Sequence, residues 1–247
     1  MAEVVQGLWI GSGLSPMEVL CIRSFQHHGH PFHLYSYGPL ENVPDGAIMR
    51  DANDVLTESE VFWKRGGDIT GFSDFFRWEL LKRRGGIWVD MDAICLKPLD
   101  FDDEVVMAWD GSGSVGTSVL KFPAGHPLAG SVADACRDVN AIQPFDTPRA
   151  MVKKLARRIA FGREKSRIYT RHTEPGGPGY VTKFVHQHRL IDAVKPSDWF
   201  YPISWQAWEQ AFTSSADPDA LSETSYVVHL WNHILRTDAH IDKDKIG

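Results

Sequence analysis

Residues 85–92 read GGIWVDMD. Two glycines break the chain's direction, an apolar run follows, and the run ends on two aspartates one residue apart. On an extended strand side chains alternate, so Asp90 and Asp92 are expected on one side together with Trp88. Ile87, Val89 and Met91 then face the other way, into packing. The preceding stretch, SDFFRWELLKRR at 73–84, predicts a helix. Ser73 serves as N-cap, Asp74 lies in the first turn, basic residues close the last turn, and Gly85-Gly86 stop it. A helix delivered straight into a buried strand is half of an α/β unit.

Two like charges this close raise each other's pKa unless something positive sits between them. Hard divalent cations such as Mg²⁺ or Mn²⁺ prefer carboxylate, water and phosphate oxygens, so the pair suits a metal that also holds a diphosphate. The plainer reading is a strand end with two solvated aspartates. On the helix, Asp74, Arg77, Trp78 and Leu81 share a face at i, i+3, i+4 and i+7. Charges mixed with Trp and Leu read either as a partly buried polar site or as a simple helical Asp–Arg pair.

Outward from this stretch the same alternation of elements recurs. Val4–Ile10 reads as a first strand, ended by Gly11-Ser12-Gly13. Ser15-Pro16 with Glu18 predicts a helix start with a capping box, and Met17, Leu20, Cys21 and Phe25 continue at helical spacing. Phe32–Tyr37 alternates as a second strand. Strand, helix, strand is a βαβ opening, which predicts an α/β fold with a mostly parallel central sheet and helices on both faces. Ile48–Asp51 is a further short strand, and Ala52–Trp63 is expected to be helical. Val105–Trp109 and Thr117–Phe122 read as strands. His126–Asn140, Pro148–Phe161 and Tyr180–His188 read as helices, and Tyr226–Trp231 as a late strand. No internal repeat or linker appears, so residues 1–247 are expected to form a single domain.

Composition narrows the function. The net charge of −6 argues against a duplex nucleic-acid binder. Cys21, Cys95 and Cys136 lie far apart, which predicts neither a disulfide framework nor a cysteine metal site and favours a reducing compartment. No signal peptide and no apolar run of membrane-spanning length is present, so a cytoplasmic protein is expected, with contact at the inner membrane face left open. The basic run Lys153-Lys154, Arg157-Arg158, Arg163, Lys165, Arg167 reads as a solvated helix face, or as a surface for anionic phospholipid or a diphosphate-linked acceptor. The stretch QHHGHPFH, with His27, His28, His30 and His33, spans too many local faces to form one metal site and reads as solvated surface.

The run SDFFRWELLKRRGGIWVDMDAICLKPLD resembles the Asp-x-Asp sugar-binding region of glycosyltransferase family 32. That family is related to the α1,4-galactosyl- and GlcNAc-transferases, the yeast-type α-mannosyltransferases and the clostridial glucosylating toxins. Ser-Asp-x-x-Arg, Gly-Gly, the Asp pair and Leu99-Asp100 carry the resemblance. LWIGSGLSP, GHPFHLYSY, VPDGAIMRDA, Gly177-Pro178 and VVHLWNHILR extend it along the chain.

The resemblance implies a GT-A-type, Rossmann-like nucleotide-sugar-binding fold and a metal-dependent transfer that retains anomeric configuration. The donor would carry a hexose or N-acetylhexosamine, with a UDP-sugar favoured and GDP-mannose open; the acceptor would be a glycan or glycolipid, as in bacterial surface polysaccharide synthesis. Asp90, Asp92, Asp74 and Arg77 would form the catalytic set. Asp92 would ligate Mn²⁺ or Mg²⁺ directly, Asp90 would meet the metal through water and contact the ribose, and His229 would be the third metal ligand. Asp74 and Arg77 would hydrogen-bond donor-sugar hydroxyls. Trp9, Ile10, Gly11, Trp88, Trp231 and Asn232 would complete the nucleotide-sugar site, with Trp9 stacked on the base and Trp231 and Asn232 donating to the diphosphate or glycosidic oxygen.

The residues by themselves also allow Trp9 as an anchor of the first strand and His229 as a packed core histidine. His229 and His233 at i, i+4 would suit zinc, but no third ligand lies nearby in sequence. Two other functions share an Asp-x-Asp. A haloacid-dehalogenase-like phosphohydrolase wants a Thr two residues after the second Asp, where Ile94 stands. A non-catalytic nucleotide-sugar-binding protein would be expected to have lost some of Asp74, Arg77, Asp90 and Asp92, and all are present.

Overall fold

The computed structural model describes residues 3–64, 67–169, 175–212, 221 and 223–232. The strands are β1 (Val5–Leu8), β2 (Phe32–Ser36), β3 (Ile48–Asp51), β4 (Gly86–Val89), β5 (Ala93–Cys95), β6 (Met107–Ala108), β7 (Val119–Phe122), β8 (Val194–Lys195) and β9 (Val227–His229). The helices are α1 (Pro16–His27), α2 (Thr70–Arg84), α3 (Pro127–Arg137), α4 (Pro148–Lys165) and α5 (Pro178–Gln187). The main sheet runs β3-β2-β1-β4-β7, parallel throughout except for β7, which is antiparallel to β4. The expected α/β fold with a mostly parallel sheet is therefore present.

Alternation along the strands builds a core on each face. Ile87, Val89 and Met91 pack with Cys21, Ile22 and Phe25 of α1 on one side. Trp88, Leu8 and Phe122 pack with Phe75, Phe76 and Trp78 of α2, together with residues of α3 and α5, on the other. The opening βαβ unit forms as read: Ser15 and Glu18 make the capping box of α1, and β1 and β2 pair in parallel.

Three local expectations fail for identifiable reasons. Helix α2 starts at Thr70 rather than Ser73, because Asp68 accepts from the Thr70 backbone N–H at 2.8 Å and from its hydroxyl at 2.9 Å. Asp68 holds the first helical residue from just ahead of the N-cap, Ile69, which itself makes no side-chain capping bond, and Ser73 lies within the helix. Ala52–Trp63 is not one helix but two 3₁₀ turns, Ala52–Asp54 and Glu58–Glu60. Asp51, Asn53 and Thr57 bond to nearby backbone and side chains there, competing with helical pairing. Strand β4 ends at Val89, so Asp90 and Asp92 lie beyond it, not on it.

The glycines behave as the sequence demands. Gly85 and Gly86 both have positive φ, 64° and 90°, which turns α2 sharply into β4. A Cβ on Gly85 would lie 2.4 Å from the Ala124 backbone nitrogen, so no side chain fits.

Candidate active site

Ligands of open parallel sheets bind beyond the carboxyl ends of the strands. Here β1 and β4 pair in parallel with Gln6 level with Trp88. Continuing that register places Leu8 and Trp9 beside the segment that follows Val89. Asp90 and Asp92 are brought together by a turn in which Ala93 N–H donates to the Asp90 carbonyl at 3.1 Å. The grouping arises from this turn after the strand rather than from the pleat.

The chain's late segment completes the cluster. β5 leaves the turn and pairs antiparallel with β9, setting Ala93 opposite His229. The Leu230 N–H donates to the Asp92 carbonyl at 2.9 Å, and the Asn232 N–H to Asp92 Oδ2 at 2.8 Å. His229 Nε2 then lies 3.2 Å from Asp92 Oδ1. One ligand atom each from Asp90, Asp92 and His229 falls within 4.8 Å of the others.

Arg77 joins the helix to this cluster. Its Nη2 donates to Asp90 Oδ1 at 2.6 Å and its Nη1 to Asp74 Oδ1 at 3.0 Å. Its guanidinium carbon lies 5.2 Å from the centroid of the Trp88 ring. Trp88 is buried in the core and donates its indole N–H to Asp90 Oδ1 at 2.9 Å. Both donors fall on one oxygen, leaving Asp90 Oδ2 without a protein hydrogen bond among the described residues.

Burial works against ionising Asp92, but the imidazole of His229 and the amide of Asn232 outweigh it and hold the carboxyl down at about 2. Burial also works against a charged His229, yet Asp92 and then Asp90 raise it above its ordinary 6.5. Burial pushes Asp74 up, and Arg77 opposes the rise. For Arg77, burial is outweighed by Asp90 and Asp74, which raise its pKa and keep it a cation.

The donor set suits a hard divalent cation: two carboxylates and one imidazole. His229 Nδ1 is buried with no hydrogen-bond partner among the described residues. The thiol near this cluster, Cys21, donates to the Asp90 carbonyl, and burial pushes its pKa well up, so it offers no thiolate. Oxygen ligands with one nitrogen fit Mn²⁺ or Mg²⁺.

The other expected residues occupy definite places. Trp9 is half-buried against the α1-side core, with its indole N–H on the Gly13 carbonyl at 2.9 Å. Ile10 packs against the opposite core, and Gly11 is exposed. Trp231 has φ of 56° and gives its indole N–H to the Ile203 carbonyl at 2.9 Å, so that donor is already committed. Asn232 reaches the cluster through its backbone. His229 sits on β9, where the helical i, i+4 spacing needed for a zinc pair does not apply, and His233 lies outside the described residues.

The sequence reading missed two supports. Tyr201 OH accepts from Ser118 N at 3.0 Å and bonds Ser118 Oγ at 2.8 Å, while the Ser118 carbonyl receives Asp90 N–H at 2.8 Å. Nothing local in the stretch around Tyr201 signals this. The PGGPG turn packs on the site: Trp78 donates to the Gly176 carbonyl at 3.2 Å, and a Cβ on Gly176 would lie 2.7 Å from Asp74 Cβ. In the sequence Gly177-Pro178 marks this turn only through the resemblance, without saying what it touches.

Two readings of histidines and basic residues need correction. His30 is buried, not solvated; its Nε2 accepts from Leu99 N–H at 2.9 Å, and its Nδ1 lies 3.0 Å from the Glu3 carbonyl. In the basic run, Lys154, Arg157 and Arg167 are buried rather than on a solvated face.

Residues 45–110 match the family described as glycosyltransferase sugar-binding region containing DXD motif. Residues 182–245 match the alpha 1,4-glycosyltransferase conserved region. Among solved structures the chain is similar to the ligand-free glycosyltransferase domain from the YGT toxin, with TM-score 0.51 and 8% identity over 87% of this chain and 83% of that one. It is also similar to PaToxG Glycosyltransferase, with TM-score 0.49 and 13% identity over 92% of this chain and 89% of that one. The DXD sugar-binding-region match spans Asp90 and Asp92, and the alpha 1,4-glycosyltransferase match spans His229. The chain is a glycosyltransferase with a DXD sugar-binding region.

Proposed function

We propose that this glycosyltransferase is metal-dependent and moves a hexose or N-acetylhexosamine, with retention, from a UDP-linked donor to a glycan or glycolipid acceptor. The observation that carries the reading is the convergence of Asp90, Asp92 and His229 within 4.8 Å beyond the ends of β1 and β4. These residues would hold Mn²⁺ or Mg²⁺, whose chemistry is to neutralise charge on a departing nucleoside diphosphate.

The chain's own residues supply position and field. Arg77 and the Trp88 indole fix one oxygen of Asp90, leaving the other for ribose or a water. The Asn232 amide fixes Asp92. Asp74 keeps its second oxygen for a donor-sugar hydroxyl, with Arg77 holding the carboxylate in place. Trp9, at the end of β1, offers an aromatic surface for the base, worth roughly 1–3 kcal/mol in comparable stacking. Prearranged charge of this kind lowers the barrier without reorganising during the reaction.

A donor screen with Mn²⁺ tests the reading, with UDP-glucose, UDP-galactose, UDP-GlcNAc and GDP-mannose as donors and nucleoside diphosphate release as the signal. Slow hydrolysis of one donor, lost with EDTA and in Asp92→Ala, is expected. Turnover of simple phosphate monoesters in its place would reject it.

A further inference from the structure

Helix α4 is inside out. On the side facing the protein it carries Lys154 and Arg157, both buried. Lys154 Nζ reaches Asp146 Oδ2 at 2.6 Å, the Ala141 carbonyl at 2.8 Å and Tyr180 OH at 2.9 Å. Arg157 donates to Asn140 Oδ1 at 2.7 Å and to the Val139 carbonyl at 2.9 Å. These cations are consumed inside the fold.

The opposite side is apolar. Val152, Leu155 and Ile159 stand at i, i+3 and i+7, which is one ridge of a helix. They are 68%, 58% and 78% exposed. A surface helix ordinarily shows the reverse arrangement, apolar in and charged out. A contiguous apolar ridge left in water is a contact surface.

Its border is basic. Arg149 and Lys153, four residues apart, form the neighbouring ridge, and Arg158 lies on the other flank; all are exposed. Past the kink at Gly162 come exposed Arg163 and Lys165, with Glu164 as the acidic neighbour. Asp138 meets Arg158 at 2.9 Å and Arg163 at 3.7 Å. On a chain of net charge −6 this is a local cationic rim around an apolar ridge.

We propose that the outer face of α4 docks on an anionic lipid bilayer. Val152, Leu155 and Ile159 enter the interface, and Arg149, Lys153 and Lys165 meet headgroup phosphates. Charge complementarity selects this occupant over a second copy of the chain. A two-fold self-contact would set the basic rim against its own image. The inference does not rest on the sugar-transfer reading, since α4 contributes nothing to the Asp90 cluster.

Co-sedimentation of the full chain with vesicles tests it. Vesicles of phosphatidylcholine alone are compared with vesicles that also contain phosphatidylglycerol, at low and high salt. Binding about tenfold stronger to the anionic vesicles is expected, weakening as salt rises. The Leu155→Glu/Ile159→Glu variant should lose binding, and Arg149→Glu/Lys153→Glu should weaken it. Both should keep the wild-type circular dichroism and lipid-free donor hydrolysis, because these side chains are exposed. No binding to anionic vesicles, equal binding to neutral ones, or full binding by the Leu155→Glu/Ile159→Glu variant would overturn the proposal. So would a wild-type dimer that this variant converts to monomer with no vesicle binding by either.

Discussion

The guanidinium of Arg77 sits 2.6 Å from the carboxylate of Asp90, joining helix α2 to the turn after β4. Because the same group also holds Asp74 at 3.0 Å, one cation ties together two carboxylates from different elements.

Arg77→Ala would leave Asp74 and Asp90 as neighbouring like charges without the cation that bridges them. Removing one partner of a buried pair costs about 3–5 kcal/mol. A lower melting temperature and loss of donor hydrolysis are expected. Arg77→Lys keeps the charge but cannot bond both carboxylates through a planar fork. It should recover part of the stability and little of the activity, read by thermal melts beside nucleoside diphosphate release. Equal activity in Arg77→Lys and the wild type would contradict this role.

The Asp92–His229 pair predicts a pH dependence with a definite sign. Asp92 is held down at about 2, so its contribution is present above the ordinary 3.8 and is lost as pH falls through about 2. His229 is raised, so its contribution is present below 6.5 and is lost as pH rises through the raised value. The metal-free protein should gain most from this pair between 3.8 and 6.5. Metal ligation needs the unprotonated imidazole, so apparent Mn²⁺ affinity should climb, up to about tenfold per pH unit, until His229 has lost its proton. Calorimetry in buffers of different ionisation enthalpy should register proton release on binding, absent in His229→Ala. A pH-independent affinity with no proton release would contradict it.

Gly176→Ala adds a methyl group 2.7 Å from Asp74 Cβ and 2.9 Å from Cys136 Sγ, at a φ of 97°. A residue forced into that backbone region costs about 1–3 kcal/mol. Movement of Asp74 should raise the donor KM, whereas a turn with no link to the site would lower stability and leave KM unchanged.

Trp9→Ala should weaken nucleotide binding by roughly 1–3 kcal/mol, about 5- to 150-fold in Kd. Trp9→Phe should retain much of the affinity. Titration with UDP in the presence of Mn²⁺ reads both, and unchanged affinity in Trp9→Ala would assign this indole to anchoring the strand alone.

Much of this was legible where local chemistry and tertiary packing agree. The Ser15–Glu18 box, the Gly85-Gly86 turn and the alternation of Ile87, Trp88 and Val89 each mean one thing in the sequence and the same in the fold. Asp90 and Asp92 were recognised by residue type, although a turn rather than the pleat unites them. Long-range pairing is where reading fails. Nothing near residue 229 says that β9 will lie on β5, and nothing near Tyr201 points to Ser118. The basic run misled for a related reason: charge predicts exposure only when no buried acceptor is waiting, and Asp146 and Asn140 wait for Lys154 and Arg157.

Isothermal calorimetry of UDP in the presence and absence of Mn²⁺ addresses the proposed metal-dependent donor site most directly. Wild-type protein should bind UDP with Mn²⁺ and lose that binding with EDTA, while Asp92→Ala should remain folded and bind neither tightly. Metal-independent binding of UDP, or undiminished Mn²⁺-dependent binding in Asp92→Ala, would contradict the account.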